Sequence, residues 1–378
     1  MRTMGAIQIG DIATMSKEDR QKVDRRYDFL LKLHGKNGRR ALAIAETPRV
    51  DNGYFGPESI SWKVYQNVMV AGMGALSGLF ISVLDPDGAY GVGHHTTYYY
   101  DTIGRIRRSL HFFAGAVGGD TAGAEKVGVD LFRKHSHVTG EIPATGELFE
   151  ANHVETLKFT YVVGWPHLWR AYKAFGDPNA TDEDERQFYR EQVKVCQLMG
   201  MPADELPDTP EAVEEWVRRA ERELMAFTRP AQELTDFMTH PPLTPLYPNA
   251  VIGPLMRVAI WGAIPLLTPY VREITGLSHY RVRARVGHTL VKTVARALRN
   301  PVFERVFVPY FGPETWGYMH NAIRHADRTG HEPMTHDPGL ALQLGKRGPS
   351  RCPMANLAGG ESADEREVDE KHIAQVDA

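Results

Sequence analysis

The segment RKHSHVTG (133–140) carries two histidines two residues apart, at the end of a helical apolar pattern. An imidazole in this setting can be a metal ligand, a core group bonded to a carbonyl, or a surface residue. Periodicity separates the two. Ala124, Val127, Leu131, His135 and Val138 recur at spacings of three and four, so His135 continues the stripe that faces the core. His137 stands about 200° further round, at about 100° per residue, and faces away. A neutral imidazole on a rigid helix can hold a haem iron from one side. The plain alternative is a core histidine bonded to a carbonyl. Two ligands at i and i+2, as for zinc or non-haem iron, require a strand, where alternate residues share a face. This segment patterns as a helix.

A second group lies on the preceding helical pattern. Arg105, Arg108 and Ser109 sit at i, i+3 and i+4 and share a face beside the apolar positions. Such a face is either a solvated basic edge or a polar patch whose guanidinium and hydroxyl donors stabilise negative charge on oxygen. His94 and His95 stand in a tyrosine-rich stretch and could bind metal, line a pocket or pack. Glu150-x-x-His153 has the spacing of a di-iron carboxylate helix, but no second copy accompanies it, and chance explains it better. His320, His325, His331 and His336 match no ligand template and are read as structural. There is no G-x-S-x-G, Walker loop, H-E-x-x-H or G-x-G-x-x-G, so hydrolase, nucleotide-binding and zincin readings lose their usual support.

The elements that must position these groups are predicted to be helices. The chain has 378 residues and 24% charged residues, with formal net charge −3, which gives no sign of a nucleic-acid partner. Its two cysteines, Cys196 and Cys352, make neither a disulfide framework nor a metal site, and a reducing, cytoplasmic setting is expected. No signal peptide is read at the N-terminus. The uncharged run Gln66–Leu84 is broken by glycines and ends at Asp85-Pro86, so it is expected to be a buried helix and not a membrane span, with a membrane-touching face as the alternative.

Helices are expected around 17–33, from a start near Ser59 or Pro57, over 102–117, and from an Asp120-Thr121 cap to Gly140. Further helices are expected over 151–175, 182–199, 211–228, 255–267, 268–275 and 279–299, the last with a basic exposed face. Residues 85–101 are expected to be a tucked-in loop, and 239–254 an irregular, proline-rich crossing. No alternating strands are read, and the acid-rich end of the chain is expected to be disordered. The class is mainly α in a single large domain: an arm over 1–45, a main domain over 46–344 and a tail over 345–378.

The order of segments carries a resemblance. FGPESISWKV, the buried run, DPDGAYGVGHHTTYYYDTIGRIRRSLHFFAGAVGGD, RKHSHVTG, LKFTYVVGWPHLWRAYKAFG and YREQVKVCQLMGMPADELPDTPEAVEEWV follow one another as in the family of fungal MpaB and the rubber oxygenase latex-clearing protein. The likeness spans about residues 50–300. Its most specific element is Arg105-x-x-x-Ser109 followed by His135-x-x-Val138-x-Gly140.

That resemblance implies a globin-like helical core with extra helices and one b-type haem. The proximal ligand falls on His135 and the distal arginine on Arg105. A distal lysine falls on Arg108 and a motif threonine on Ser109. His95 matches a histidine ahead of the arginine motif. Arginine at 108 keeps a cation but not a readily released proton, which puts a general-acid role there in doubt. Three further departures stand out: Asp85-Pro86 replaces a histidine-proline pair, an arginine is missing near Gly74, and Phe159-Thr160-Tyr161 replaces tryptophan-valine-histidine. The implied activity is O2-dependent attack on a carbon–carbon double bond of a lipophilic, isoprenoid-like small molecule or polymer. A haem carrier or sensor, or a non-haem metal enzyme using His94, His95, His135 or His153, are the alternatives.

Overall fold

The computed structural model describes residues 35–95, 102–142, 146–240, 252–298 and 313–329. Over these the chain is mainly helical, with one small two-stranded sheet. The helix expected over 17–33, the acid-rich tail, Cys352, His331 and His336 lie outside the described residues, as does most of the proline-rich crossing. None of the described helices is long and apolar enough to cross a membrane.

The run expected to be buried forms α3 (Val68–Ser82), with Asn67 Oδ1 accepting from the Met69 and Val70 amides at its start. Val70, Met73, Phe80 and Ile81 are buried, as an apolar-all-round helix requires. It packs against α8 (Trp165–Ala171) and α12 (Ile252–Ala263). Gly74 marks the closest approach to α8: a methyl there would run into the side chain and backbone of Leu168. The absence of a large side chain near this position thus follows from helix-to-helix contact.

Before α3, Ser59 caps α2 (Ile60–Tyr65), its Oγ accepting from the Trp62 amide at 3.1 Å; of the two caps expected, the serine is the one used. After α3 the expected loop is in part a helix, α4 (Pro86–His95). Asp85 starts it by accepting from the Gly88 amide at 3.0 Å, and Pro86 suits a first helical turn. The aspartate-proline pair that departs from the resemblance is therefore a helix cap. Burial pushes its carboxyl up to about 6.

Two long helices follow as an antiparallel pair, α5 (Thr102–Gly118) and α6 (Thr121–Ser136). Asp120 caps α6 through the Gly123 amide. The helix ends at Ser136, a turn before the expected stop at Gly140. His137 is its C-cap, and Gly140 lies instead in β1 (Thr139–Glu141), paired antiparallel with β2 (Leu148–Glu150). Three-residue strands are too short to show alternation, which explains why none was read.

The single helix expected over 151–175 is two helices. α7 (Val154–Val162) stops at Val163-Gly164, α8 follows, and a π turn spans Tyr172–Gly176. α9 (Asp182–Gln197) starts on a capping box between Thr181 and Asp184. α10 (Pro210–Glu223) is followed by α11 (Arg229–Thr239), which the expected 211–228 helix did not include. α13 (Pro269–Ile274) and α14 (Arg281–Leu298) match the expected positions, and α14 packs on α12. Finally α15 (Pro313–Thr329) lies against both α5 and α1 (Gly35–Glu46).

Candidate functional site

The turn between α5 and α6 is held from several sides. Trp62 Nε1 donates to Val117 O at 2.7 Å, and Arg49 donates to the Gly118 and Gly119 carbonyls, the free end of α5. Asp51 Oδ1 accepts from the Thr121 amide at 2.8 Å, at the start of α6. The closed end of this helical hairpin is thus fixed in place.

Helix geometry then sets what meets at the open end. Arg105 precedes Gly118 by about 20 Å of helix, and His135 follows Thr121 by about 21 Å. Equal arms of an antiparallel pair bring these two residues level with each other. The electrostatics agree: the charge of Arg105 reaches His135 and disfavours its protonation. Of the other residues on the same face, Arg108 and Ser109 are exposed, while Arg105 is half-buried. The backbone of His94 and His95 ends α4, but their side chains lie outside the described residues.

His135 occupies the last turn of α6 and is half-buried, whereas His137 is exposed. Burial lowers the His135 pKa to about 4, the Asn152 side chain opposing it and the Arg105 charge adding a smaller lowering contribution. The ring is neutral at pH 7, the form that can bind a metal.

Asn152 arrives through the β-hairpin: Ala151 N donates to Val138 O at 3.0 Å as the chain returns to the end of α6. Its Nδ2 donates to Phe132 O at 2.8 Å and to Ser136 Oγ at 3.1 Å, which orients the amide. Its Oδ1 is buried with no hydrogen-bond partner. An imidazole turned to donate to this oxygen would have its other nitrogen free as a ligand, the arrangement in which an outer amide or carboxylate holds a metal-binding histidine. The residues present therefore fit a group taking one axial imidazole.

An aromatic wall adjoins Arg105. Tyr161 of α7 feels the Arg105 charge, and burial raises its phenol pKa. Phe113 of α5 lies 5.9 Å from Tyr161, edge to face, and 5.9 Å from Tyr65, stacked. Sequence reasoning did not single out Asn152 or Tyr65. It marked Tyr161 as a departure from the resemblance, which was the available signal. Asn152 gave none, because its role depends on the hairpin. Elsewhere, Glu150 lies in β2 and exposed His153 precedes α7, and no group of three or more His, Cys, Asp or Glu able to hold a metal ion comes together among the described residues. His320 is buried, stacked on Trp316 at 3.7 Å with Nδ1 on the Trp316 carbonyl, a structural arrangement.

Residues 62–299 match the family model of the catalytic domain of the ER-bound oxygenase mpaB/B′ and rubber oxygenase. The chain belongs to this family. No curated protein and no solved structure matches it. The matched span runs from α2 to α14 and includes Arg105, His135, Asn152 and Tyr161. As a member of an oxygenase family, the protein is an oxidoreductase that uses O2 and an organic substrate. Helix α15, which packs on α5, and α1, which packs on α15, lie outside the matched span.

Proposed function

We propose that this mpaB/rubber-oxygenase family member is a haem b-dependent oxygenase acting on a lipophilic, isoprenoid-like substrate, with its core arranged as in globins. The reading rests on a half-buried imidazole near the end of one arm of a helical hairpin and a guanidinium at the matching length along the other arm, whose charge acts on that imidazole. His135 would hold the haem iron, with Asn152 fixing the ring, and Arg105 would face the reacting oxygen. Bound haem supplies an iron that activates O2.

The chain's own residues do the rest. Arg105 cannot give up its proton at ordinary pH, so it acts as a fixed cation and hydrogen-bond donor where negative charge develops on oxygen. Arg108 and Ser109 extend that donor patch toward the surface, and His95 is proposed as a further contact of the group. Tyr65, Phe113 and Tyr161 offer an apolar wall that excludes water and favours a lipophilic chain. Cleavage of one double bond by one O2 to two carbonyls balances atoms without an external reductant. Hydroxylation or epoxidation would require an electron donor.

The test is the absorption spectrum of the purified full-length protein with metal analysis. A Soret band that His135→Ala abolishes and His137→Ala retains supports the reading, provided that Arg105→Ala keeps the band and loses most olefin-dependent O2 uptake. A colourless protein with stoichiometric zinc or non-haem iron overturns it. A haem protein that consumes no O2 with any lipophilic olefin is a carrier or sensor.

A further inference from the structure

Away from the hairpin, α14 has a composition at odds with the rest of the chain. It carries Arg281, Arg283, Arg285, Lys292 and Arg296 and no acidic residue, although the whole chain has net charge −3. Ala284, Gly287, Val291 and Ala295 face inward, against α12 and its neighbours. On the outer side Val282, Val286, Leu290 and Val294 are exposed by 76%, 51%, 46% and 45%. Spaced by four, they form a single aliphatic ridge about 18 Å long. Isolated exposed aliphatics need no explanation, but an aligned row of four does.

The cations are sorted, not scattered. At about 100° per residue, Arg281, Arg285, Lys292 and Arg296 fall within about 60° of one another, on one flank of the ridge. They form no ion pair among the described residues. Arg283 stands on the other side, over the Trp261 and Tyr280 rings at 5.8 and 5.7 Å. Along the basic flank runs a cavity of about 590 Å³, to which Arg272, Arg281, Arg285 and His288 contribute, with Glu273 as its only carboxylate among the described residues. An apolar ridge beside a basic groove fits an interface where hydrocarbon meets phosphate. Long arginine and lysine stems can lie along lipid while their heads reach the phosphates. A second copy of the chain fits worse, since it would set five cations against five.

We propose that α14 is an interfacial anchor that lies on an anionic phospholipid surface. The ridge Val282, Val286, Leu290 and Val294 seats among acyl chains, and Arg281 and Arg285 hold a lipid phosphate at the mouth of the cavity. This is independent of the oxygenase reading and requires no haem.

The test is co-sedimentation of the full-length protein with phosphatidylcholine vesicles, with and without phosphatidylserine. The protein should bind the phosphatidylserine vesicles preferentially, and added salt should weaken the binding. At about fivefold per cation, Arg281→Gln with Arg285→Gln should weaken it about 25-fold. Val286→Ser with Leu290→Ser should abolish the retention that persists at high salt. Both double variants change exposed side chains, and unchanged circular dichroism will show that they fold. Equal binding to both vesicle types overturns the proposal, as does wild-type binding by the variants. So does full competition by inorganic phosphate or glycerophosphoserine, which would make the cavity a soluble-anion site. A dimer in light scattering that Val286→Ser with Leu290→Ser dissociates would assign the ridge to self-association and also overturn it.

Discussion

Replacing His167 should make the stability of the protein less sensitive to acid, and the size of the effect follows from its surroundings. His167, in α8, is almost wholly buried. Nδ1 lies 2.8 Å from Val163 O, and Nε2 lies 3.3 Å from an Arg170 nitrogen. A carbonyl can only accept and a guanidinium can only donate, so the ring is the neutral tautomer with its proton on Nδ1. A second proton would face the Arg170 cation inside the core. Burial first, and Arg170 second, therefore hold the pKa down to about 3, although the Val163 carbonyl raises it.

The unfolded chain takes up this proton near its ordinary value of about 6.5, and the folded chain does not. The stability that neutral His167 contributes is thus complete above pH 6.5 and is lost progressively as pH falls toward 3. At pH 5 the unfolded histidine is about 1.5 pH units below its pKa, which corresponds to about 2 kcal/mol of lost stability. Any folded value well below 5 gives the same figure. In urea titrations of the protein, His167→Gln should lower stability at pH 7 but lose about 2 kcal/mol less than wild type between pH 7 and pH 5. His111 and His135 titrate in both proteins, so the difference isolates position 167. Equal losses in the two proteins would refute the assigned tautomer and its burial.

Other perturbations test single contacts. Gly74→Ala places a methyl against Leu168 and should cost about 1–3 kcal/mol in thermal unfolding, through overpacking between α3 and α8. Ser59→Ala removes the α2 cap and should cost about 1 kcal/mol in the same measurement. On the haem reading, Asn152→Leu removes the amide beside His135 and should speed haem transfer to an excess of apomyoglobin by about tenfold or more. An unchanged transfer rate would remove Asn152 from the site.

Much of this was legible because helices announce themselves over long windows. The α5 and α6 patterns, the Gly118-Gly119 stop and the Asp120 cap could be read directly, and with them the opposite facing of His135 and His137. What could not be read was short or depended on partners. β1 and β2 are three residues each, below the length at which alternation is visible. α4 is rich in glycine, and composition argued for a loop until the Asp85 cap and the packing of Gly91 against Phe149 outweighed it. The break at Val163-Gly164 is marked by nothing stronger than one glycine and the following Trp165-Pro166, which a continuous apolar pattern masked.

The spacing from Arg105 to His135 looks arbitrary along the chain, yet it is set by the hairpin. Each residue lies nearly the same length of helix from the turn, so their register depends on that turn, which is clamped by Trp62, Arg49 and Asp51. Shortening either arm by one residue would rotate its side chain by about 100° and break the register without touching either residue. A site built this way draws its precision from rigid helices and distant hydrogen bonds. Its environment is then supplied separately, by the β-hairpin that returns Asn152 and by α7, which carries Tyr161. On the proposed function, the division separates what must be fixed, the imidazole and the guanidinium, from what can vary with substrate, the aromatic wall. That is where the sequence reading places Phe159-Thr160-Tyr161 as a departure from the resemblance.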